Sequence, residues 1–246
     1  MPLLEHKRAV VVTGASRGLG REIALKFGRA GDRVVVNYVS RDQEAAAVVD
    51  EILRAGGEAV SCRADVRITE EVGTMIDETA KRWGALDVLV NNAGITKDRL
   101  MLRLPEQDWD RVLDTNLAGA FYCIRAASRI MSGQRKGHII NISSIVGARG
   151  REGQAPYAAS KAGLLGLTKA AARELGVFNI KVNAVLPGYL PTEMGGSISD
   201  AIYERVLQEN ILNRVSDPRE VAEFIYHLSR MNNVSGQIFN LDSRIL

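Results

Sequence analysis

Two cysteines and three histidines are all that this 246-residue chain offers for disulfide or metal chemistry. Cys62 and Cys123 lie far apart with no C-x-x-C spacing, which predicts free thiols in a reducing compartment. His6, His138 and His227 are scattered, so no zinc or other metal site is expected. Aromatic residues make up only 5% and the net charge is +3, with no dense Lys/Arg run. Nucleic acid is therefore not an expected partner. No apolar run reaches the roughly 20 residues that span a bilayer, and the N-terminus lacks a signal-peptide core. A cytoplasmic protein with no membrane partner is expected. No Pro/Gly/Ser-rich linker divides the chain, so residues 1–246 read as one domain.

What the chain does have is short β-branched runs alternating with helical patterns. Strands are predicted at Ala9–Thr13, Arg33–Asn37, Ala59–Cys62, Val88–Asn91, His138–Ile142, Lys181–Leu186 and Gln237–Asn240. Near-continuous Val/Ile strands separated by amphipathic helices predict an α/β fold of Rossmann type. It would be a doubly wound parallel sheet of about seven strands with helices on both faces. Ligands of such sheets sit beyond the carboxyl ends of the strands. The loops there read TGASRG, NYVSR, RADV, NNAG, SSIVG and PGY. They are rich in Gly, Asn and Asp, and together they favour a nucleotide site over mere turn chemistry.

The first of these loops carries two motifs. Gly14-Ala15-Ser16-Arg17-Gly18 fits the G-x-S-x-G nucleophile elbow of α/β-hydrolases, whereas Gly14, Gly18 and Gly20 fit a phosphate cradle. An elbow needs an oxyanion donor from an earlier strand–helix loop, and only thirteen residues precede Gly14. It also needs a later histidine in a loop, but His138 falls in a strand run and His227 in a helical one. The cradle needs only glycines and a helix N-terminus aimed at phosphate. Ser16 thus reads as a loop-shaping or phosphate-facing hydroxyl.

Thr13-Gly14-x-x-x-Gly18-x-Gly20, Asn91-Asn92-Ala93-Gly94 and Tyr157-x-x-x-Lys161 together resemble the short-chain dehydrogenase/reductase family over nearly the whole chain. Within it, "NNAGITKDRLMLRL", "APYAASKAGLLGLTKAAARELG" and "KVNAVLPGYLPTEM" are similar to the 3-oxoacyl-carrier-protein reductases. The resemblance implies reduction of a 3-oxoacyl thioester to the 3-hydroxyacyl thioester in fatty-acid biosynthesis. An acetoacetyl-coenzyme A or other ketone reductase is the alternative within the family, and a catalytically silent NADP-binding regulator is the alternative outside enzymes.

Tyr157 and Lys161, four apart on one helix, share a face. A nearby ammonium favours the phenolate, so Tyr157 is expected to have a lowered pKa and to act as general acid in reduction. The resemblance adds that Lys161 holds the nicotinamide ribose. It also selects Ser144 over Ser143 as the hydroxyl that bonds the substrate carbonyl, a choice that the residues alone leave open. Asn116 interrupts an apolar stripe (Trp109, Val112, Leu113, Leu117, Ala120, Phe121, Ile124) on a helix predicted over about 106–131. A buried amide there needs partners, and the resemblance implies a bend linking Lys161 to a proton relay. For the cofactor, the resemblance implicates Gly14, Ser16, Arg17, Gly18, Leu19, Gly20, Tyr38, Arg41, Asp65, Val66, Asn92, Ala93, Gly94, Pro187, Gly188 and Thr192, besides Tyr157 and Lys161. Tyr38 stands where an NAD-binding acid would grip the ribose, while Arg17 and Arg41 flank it, which predicts NADPH. Residues 193–210 are expected to form a lid hinged at Gly195-Gly196.

The expected partner is an acidic acyl carrier protein or acyl-coenzyme A. Arg149 and Arg151 near the cleft, and Arg129, Arg135 and Lys136 beyond the Asn116 helix, are candidates to dock it. Two departures from the family stand out. Phe178 occupies a position that is often basic, and Ser243-Arg244 replaces a common glycine pair in the tail that helps build the tetramer. A homotetramer, a dimer of dimers pairing the long helices, is nonetheless expected.

Overall fold

Valine and isoleucine run through every central strand because both faces of each strand are covered. In the computed structural model, which describes residues 7–190 and 200–244, the strands are β1 (Ala9–Val12), β2 (Arg33–Tyr38), β3 (Glu58–Arg63), β4 (Val88–Asn91), β5 (Gly137–Ile142), β6 (Ile180–Leu186) and β7 (Ile238–Asn240). They form one parallel sheet in the order β3-β2-β1-β4-β5-β6-β7. All seven predicted strands are present, with ends displaced by at most a residue or so. The order reverses between β1 and β4, so their carboxyl ends flank the crevice where such sheets bind ligands.

Alternation along each strand divides the core in two. Val10, Val12, Val34, Val36 and Val88 face α1 (Gly18–Arg29), α2 (Asp42–Arg54) and α9 (Pro218–Leu228). Ala9, Val11, Val35, Leu89 and Ile139 face α3 (Thr69–Trp83), α5 (Gly119–Gln134) and α7 (Ala155–Leu175). The remaining helices are α4 (Glu106–Leu113), the five-residue α6 (Ile145–Arg149) and α8 (Asp200–Glu209). Cys62 and Cys123 are free thiols.

The long helix expected over about 106–131 is interrupted. A π-helical turn, Asp114–Ala118, joins α4 to α5 and carries buried Asn116 at its centre. Two members of the apolar stripe, Trp109 and Phe121, point away from the core and are 38% and 42% exposed. The tail departure also has a local role: Arg244 pairs with Asp242 and lies 3.7 Å from Glu209, while Ser243 Oγ donates to Asn210 Oδ1 at 2.7 Å. Ser243-Arg244 therefore fastens the chain end to the end of α8.

Opposite the crevice, at the start of β5, His138 is buried among Lys181, Arg8, Lys136 and Asp87, with its Nδ1 unpartnered among the described residues. Burial first, and the surrounding cations second, pull its pKa down from 6.5 to about 4. The folded protein therefore binds this proton less readily than the unfolded chain. Stability from this position is complete above pH 6.5 and is lost as pH falls toward 4. The maximal effect is on the order of 3 kcal/mol. In urea unfolding at pH 7 and pH 5, His138→Leu should lose distinctly less stability on acidification than the wild type. Equal losses would contradict a buried neutral histidine.

Candidate active site

Three loops at the carboxyl edge of the sheet are tied to one another by buried polar side chains. Thr13 Oγ1 accepts from the amides of Asn92 and Ala93, both at 3.0 Å, and Asn92 Nδ2 donates to the carbonyls of Thr13 and Gly14 at 2.9 and 3.1 Å. From the other side, Asn37 Oδ1 accepts from Gly14 N at 3.1 Å while its Nδ2 donates to Ala64 O at 2.9 Å. The glycines permit this interlock. A Cβ on Gly14 would lie 2.9 Å from Ala93 Cα, and one on Gly20 would lie 2.4 Å from Gly14 O. Gly14 and Gly18 also hold φ of +61° and +56°, where a side chain is strained. Gly14 and Gly20 thus let the first turn of α1 pack closely against the loop after β4.

α1 begins at Gly18 with no side-chain cap and no acidic residue in its first turn, whereas α2, α3 and α4 each carry two acids there. The amides of Gly18, Leu19 and Gly20 and the positive end of the helix dipole are thereby left to attract an anion. Ser16 is buried beneath this turn and Arg17 is exposed above it. Half-buried Tyr38 ends β2. Arg41 Nη1 pairs with Glu44 Oε1 at 2.9 Å, and Arg17 contributes to the field that lowers the Glu44 pKa, after Glu44's own backbone amide and Arg41. A cavity of about 370 Å³ opens beside them, lined by Val39, Arg63, Asp65, Ile68 and Glu71. The Asp65 carboxylate is held below the usual range by Arg67, which bonds it in a fork. Val66 is buried and packs where a Cβ on Gly119 would lie. This anion-attracting turn, the flanking guanidinium groups and the adjoining cavity fit a dinucleotide.

On the other side of the crevice, β5 runs into two serines that the structure separates. Ser143 is buried and its Oγ donates to Lys161 O at 2.8 Å. Ser144 caps α6, its Oγ accepting from Val146 N at 3.2 Å, and its hydroxyl acts on the Tyr157 phenol, favouring the phenolate. α6 is drawn onto α7 at Gly147, where a Cβ would lie 2.7 Å from Ala162 N. Lys161 is 4% exposed and donates to Ile142 O at 2.7 Å. Its Nζ also sits 5.7 Å from the centre of the Tyr157 ring. Asn116 Oδ1 accepts from Ile95 N at 2.8 Å, and its Nδ2 donates to Ile95 O and to Ser160 Oγ, both at 3.0 Å. Both Asn116 Oδ1 and Lys161 Nζ border Gly94, within 3.6 Å of where its Cβ would be.

The expected lowering of the Tyr157 pKa is not what this arrangement produces. Burial pushes the phenol up, the Ser144 bond opposes it, and the Asp98 carboxylate adds to the rise. Burial instead pulls the Lys161 ammonium down to about 8. Desolvation penalises both charged forms, and the ammonium reaches the ring rather than the hydroxyl.

Pro187 is buried after β6, and Gly188, at φ +81°, lies against Ser216 so closely that a Cβ would be 2.2 Å from its Oγ. Thr192 and the Gly195-Gly196 hinge lie outside the described residues, as does part of the expected lid. Arg151 acts on Tyr189 at the cleft. Arg129, Arg135 and Lys136 do not approach it. They lie at the far end of α5, before β5 begins, engaged with Asp77, Val177 O and Asp87. α5 runs antiparallel to β5, so its end faces away from the crevice.

A parallel sheet with an anion-attracting first turn, and a serine, a tyrosine and a buried lysine facing one another across the reversal point, defines a nicotinamide-dependent oxidoreductase. The sequence profile described as short chain dehydrogenase matches residues 8–202. The chain belongs to the short-chain dehydrogenase family. It is 46% identical over 241 residues to the 3-oxoacyl-[acyl-carrier-protein] reductase FabG of Staphylococcus aureus, covering 97% of this chain and 98% of that one. It is 44% identical over 238 residues to the 3-oxoacyl-[acyl-carrier-protein] reductase of Synechocystis, covering 96% and 95%. A candidate short-chain alcohol dehydrogenase from Sinorhizobium meliloti superposes with a TM-score of 0.91 at 35% identity, covering 96% and 95%. Among the described residues no helix is long and apolar enough to cross a membrane.

Thr13, Asn37, Ser143, Gly147 and Ser160 were not among the expected site residues. The signal for Asn37 was in plain view, a carboxamide closing an otherwise apolar run in a fully buried strand. Ser143→Ala and Ser144→Ala should each cost about 1 kcal/mol in stability, the first through a lost buried bond and the second through a lost cap. Only Ser144→Ala should also lower kcat by about a hundredfold. Steady-state rates and thermal unfolding of both variants check this. A larger rate loss in Ser143→Ala would reverse the assignment.

Proposed function

We propose that this protein reduces a 3-oxoacyl thioester carried on acyl carrier protein to the 3-hydroxyacyl thioester, using NADPH. The observation that carries the reading is the facing set of Ser144, Tyr157 and Lys161 in a chain nearly half identical to two 3-oxoacyl-carrier-protein reductases along almost its full length. Gly14, Ser16, Arg17, Gly18, Leu19 and Gly20 would hold the cofactor phosphates. Tyr38 and Arg41 would meet the adenosine ribose, Asp65 and Val66 the adenine. Asn92, Ala93, Gly94, Pro187, Gly188 and Thr192 would line the path to the nicotinamide. Arg17 in the loop after β1 and Arg41 in the loop after β2, with no carboxylate on Tyr38 or its strand neighbours, favour a 2′-phosphate. When bound, the cofactor supplies hydride to the carbonyl carbon.

The chain's own groups manage the oxygen. Ser144 Oγ would donate a hydrogen bond to the ketone oxygen and hold it beside Tyr157. The phenol, kept protonated well past neutrality by burial, would give its proton to that oxygen as charge develops there. Lys161, still mostly protonated at neutral pH with its pKa near 8, would stabilise the resulting phenolate and hold the ribose. Asn116 keeps the loop after β4 against α7. Arg149 and Arg151 are the basic residues left to receive an acidic carrier. Exposed Trp109 and Phe121 on α4 and α5 suit burial between subunits, as a homotetramer requires. One catalytic domain working in the cytoplasm completes the reading.

Initial rates with NADPH and NADH, against a panel of 3-oxoacyl carrier thioesters, coenzyme A thioesters and simple ketones, test it. Carrier thioesters with NADPH should give the highest kcat/KM, and preference for NADH would overturn the role given to Arg17 and Arg41. Tyr157→Phe should reduce kcat by about a thousandfold while leaving NADPH binding within a few-fold. Retained turnover would remove Tyr157 as the acid.

A further inference from the structure

Tyr157 lies between two positions of the chain, 154 and 160, that are both fastened to the loop after β4. At the inner end, Asn116 grips Ile95 with both atoms of its carboxamide and donates to Ser160 Oγ, which in turn donates to Tyr157 O at 2.8 Å. At the outer end, Gln154 Nε2 donates to Asp98 Oδ2 at 2.8 Å and Arg99 N donates to Gly153 O at 2.7 Å. Thr96 Oγ1 donates to the other oxygen of Asp98, so both oxygens of that carboxylate are engaged. Gly153 holds φ of +76°, and its Cβ position is 4.0 Å from the Arg99 backbone, so the turn and the loop meet without intervening side chain. The Gln154 Oε1 atom is buried and unpartnered among the described residues. Among the described residues, Asp98 is the side chain that holds that carboxamide in place.

We propose that Asp98 is a positioning residue for the reduction: with Thr96 and Gln154 it clasps the loop after β4 to the first turn of α7, fixing Tyr157 opposite Ser144, and it presents a negative charge to the phenol. The inference rests on the reductase reading above. The charge has a definite chemical consequence. A carboxylate near a phenol disfavours the phenolate, and Asp98 indeed contributes to the rise of the Tyr157 pKa, after burial and against the Ser144 bond. The groups facing Tyr157 are thus Asp98 from the loop after β4, Ser144 from the end of β5 and Lys161 from α7 itself. Burial and Asp98 favour the phenol and Ser144 the phenolate, and together they set how firmly the proton is held before transfer.

Three variants separate the clasp from the charge. Asp98→Asn removes the charge while its Oδ1 can still accept from Gln154 and its Nδ2 can donate to the Thr96 hydroxyl, Gln154→Leu keeps the charge but opens the clasp, and Asp98→Ala loses both. Ultraviolet titration of tyrosinate in the cofactor-free protein, with Tyr157→Phe subtracted, reads the charge directly. Asp98→Asn should lower the Tyr157 midpoint by about half to one pH unit. Gln154→Leu and Asp98→Ala should lower kcat by about tenfold or more with KM for NADPH little changed, because misplacing a proton donor affects the transition state more than binding. Asp98→Asn should recover most of the kcat lost in Asp98→Ala. An unmoved midpoint in Asp98→Asn, together with unchanged kcat in the other two, overturns the proposal. A wild-type protein that reduces no member of the substrate panel overturns the reductase reading instead, and the tyrosinate titration still decides whether Asp98 acts on Tyr157.

Discussion

The hydroxyl of Thr13 is the point on which the crevice is built. It accepts from two consecutive amides of the loop after β4 while that loop's Asn92 returns two bonds to the carbonyls around Gly14. With Asn37 of β2 holding Gly14 on one side and Ala64 O on the other, the loops after β1, β3 and β4 form one hydrogen-bonded unit. Backbone groups at strand ends have lost their sheet partners and are costly to bury unpaired. Here buried side chains take the place of those partners, so loops of irregular shape keep a fixed geometry without any ligand. That geometry leaves the first turn of α1 uncapped, its amides left to attract an anion.

α7 does for the chemical end what Thr13 does for the cofactor end. Its backbone takes the Ser143 hydroxyl, its Ser160 takes Asn116, and its Thr168 takes Asn141, which in turn takes Asn91 from β4. Tyr157 and Lys161 therefore project from a helix fixed at several levels. The price is desolvation of both groups, which raises the phenol's pKa and lowers the ammonium's. In the proposed reduction, a phenol that stays protonated through neutral pH suits the part of proton donor. A lysine with a pKa near 8 is charged in the same range yet close to release.

The fold was legible because β-branched runs and fully buried parallel strands are nearly the same statement. Val88–Asn91 was read with its observed ends, and the other strands erred by about a residue at turns where pairing fades gradually. The nucleophile reading of Ser16 fell to a topological argument, and the structure buries that serine below the first turn of α1. Other features lay outside what residue spacing carries. The π-helical turn at Asn116 agrees with the bend that the resemblance implied there, whereas the apolar stripe alone runs on through it and reads as one helix. The tight packing of Gly14 and Gly20 against Ala93, Asn92 and the Gly14 carbonyl is likewise invisible in a glycine spacing, which registers the turn but not what the turn packs against. Arg129, Arg135 and Lys136 looked close to the site along the chain, yet the antiparallel course of α5 carries them to the opposite edge. The proton affinity of Tyr157 depends on burial and on Asp98, fifty-nine positions earlier, which helical spacing to Lys161 cannot register.

The central claim is that the crevice is preorganised by the ties from Thr13, Asn37 and Asn116. Amide hydrogen exchange in the cofactor-free protein measures it at the atoms concerned: Gly14, Ala15, Asn92, Ala93 and Ile95, whose N–H groups donate into those ties or to Asn37 O. The account predicts protection comparable to the central strands β1 and β4, although all five residues lie in loops. Exchange as fast as in exposed turns, with protection appearing only on addition of NADPH, would contradict it.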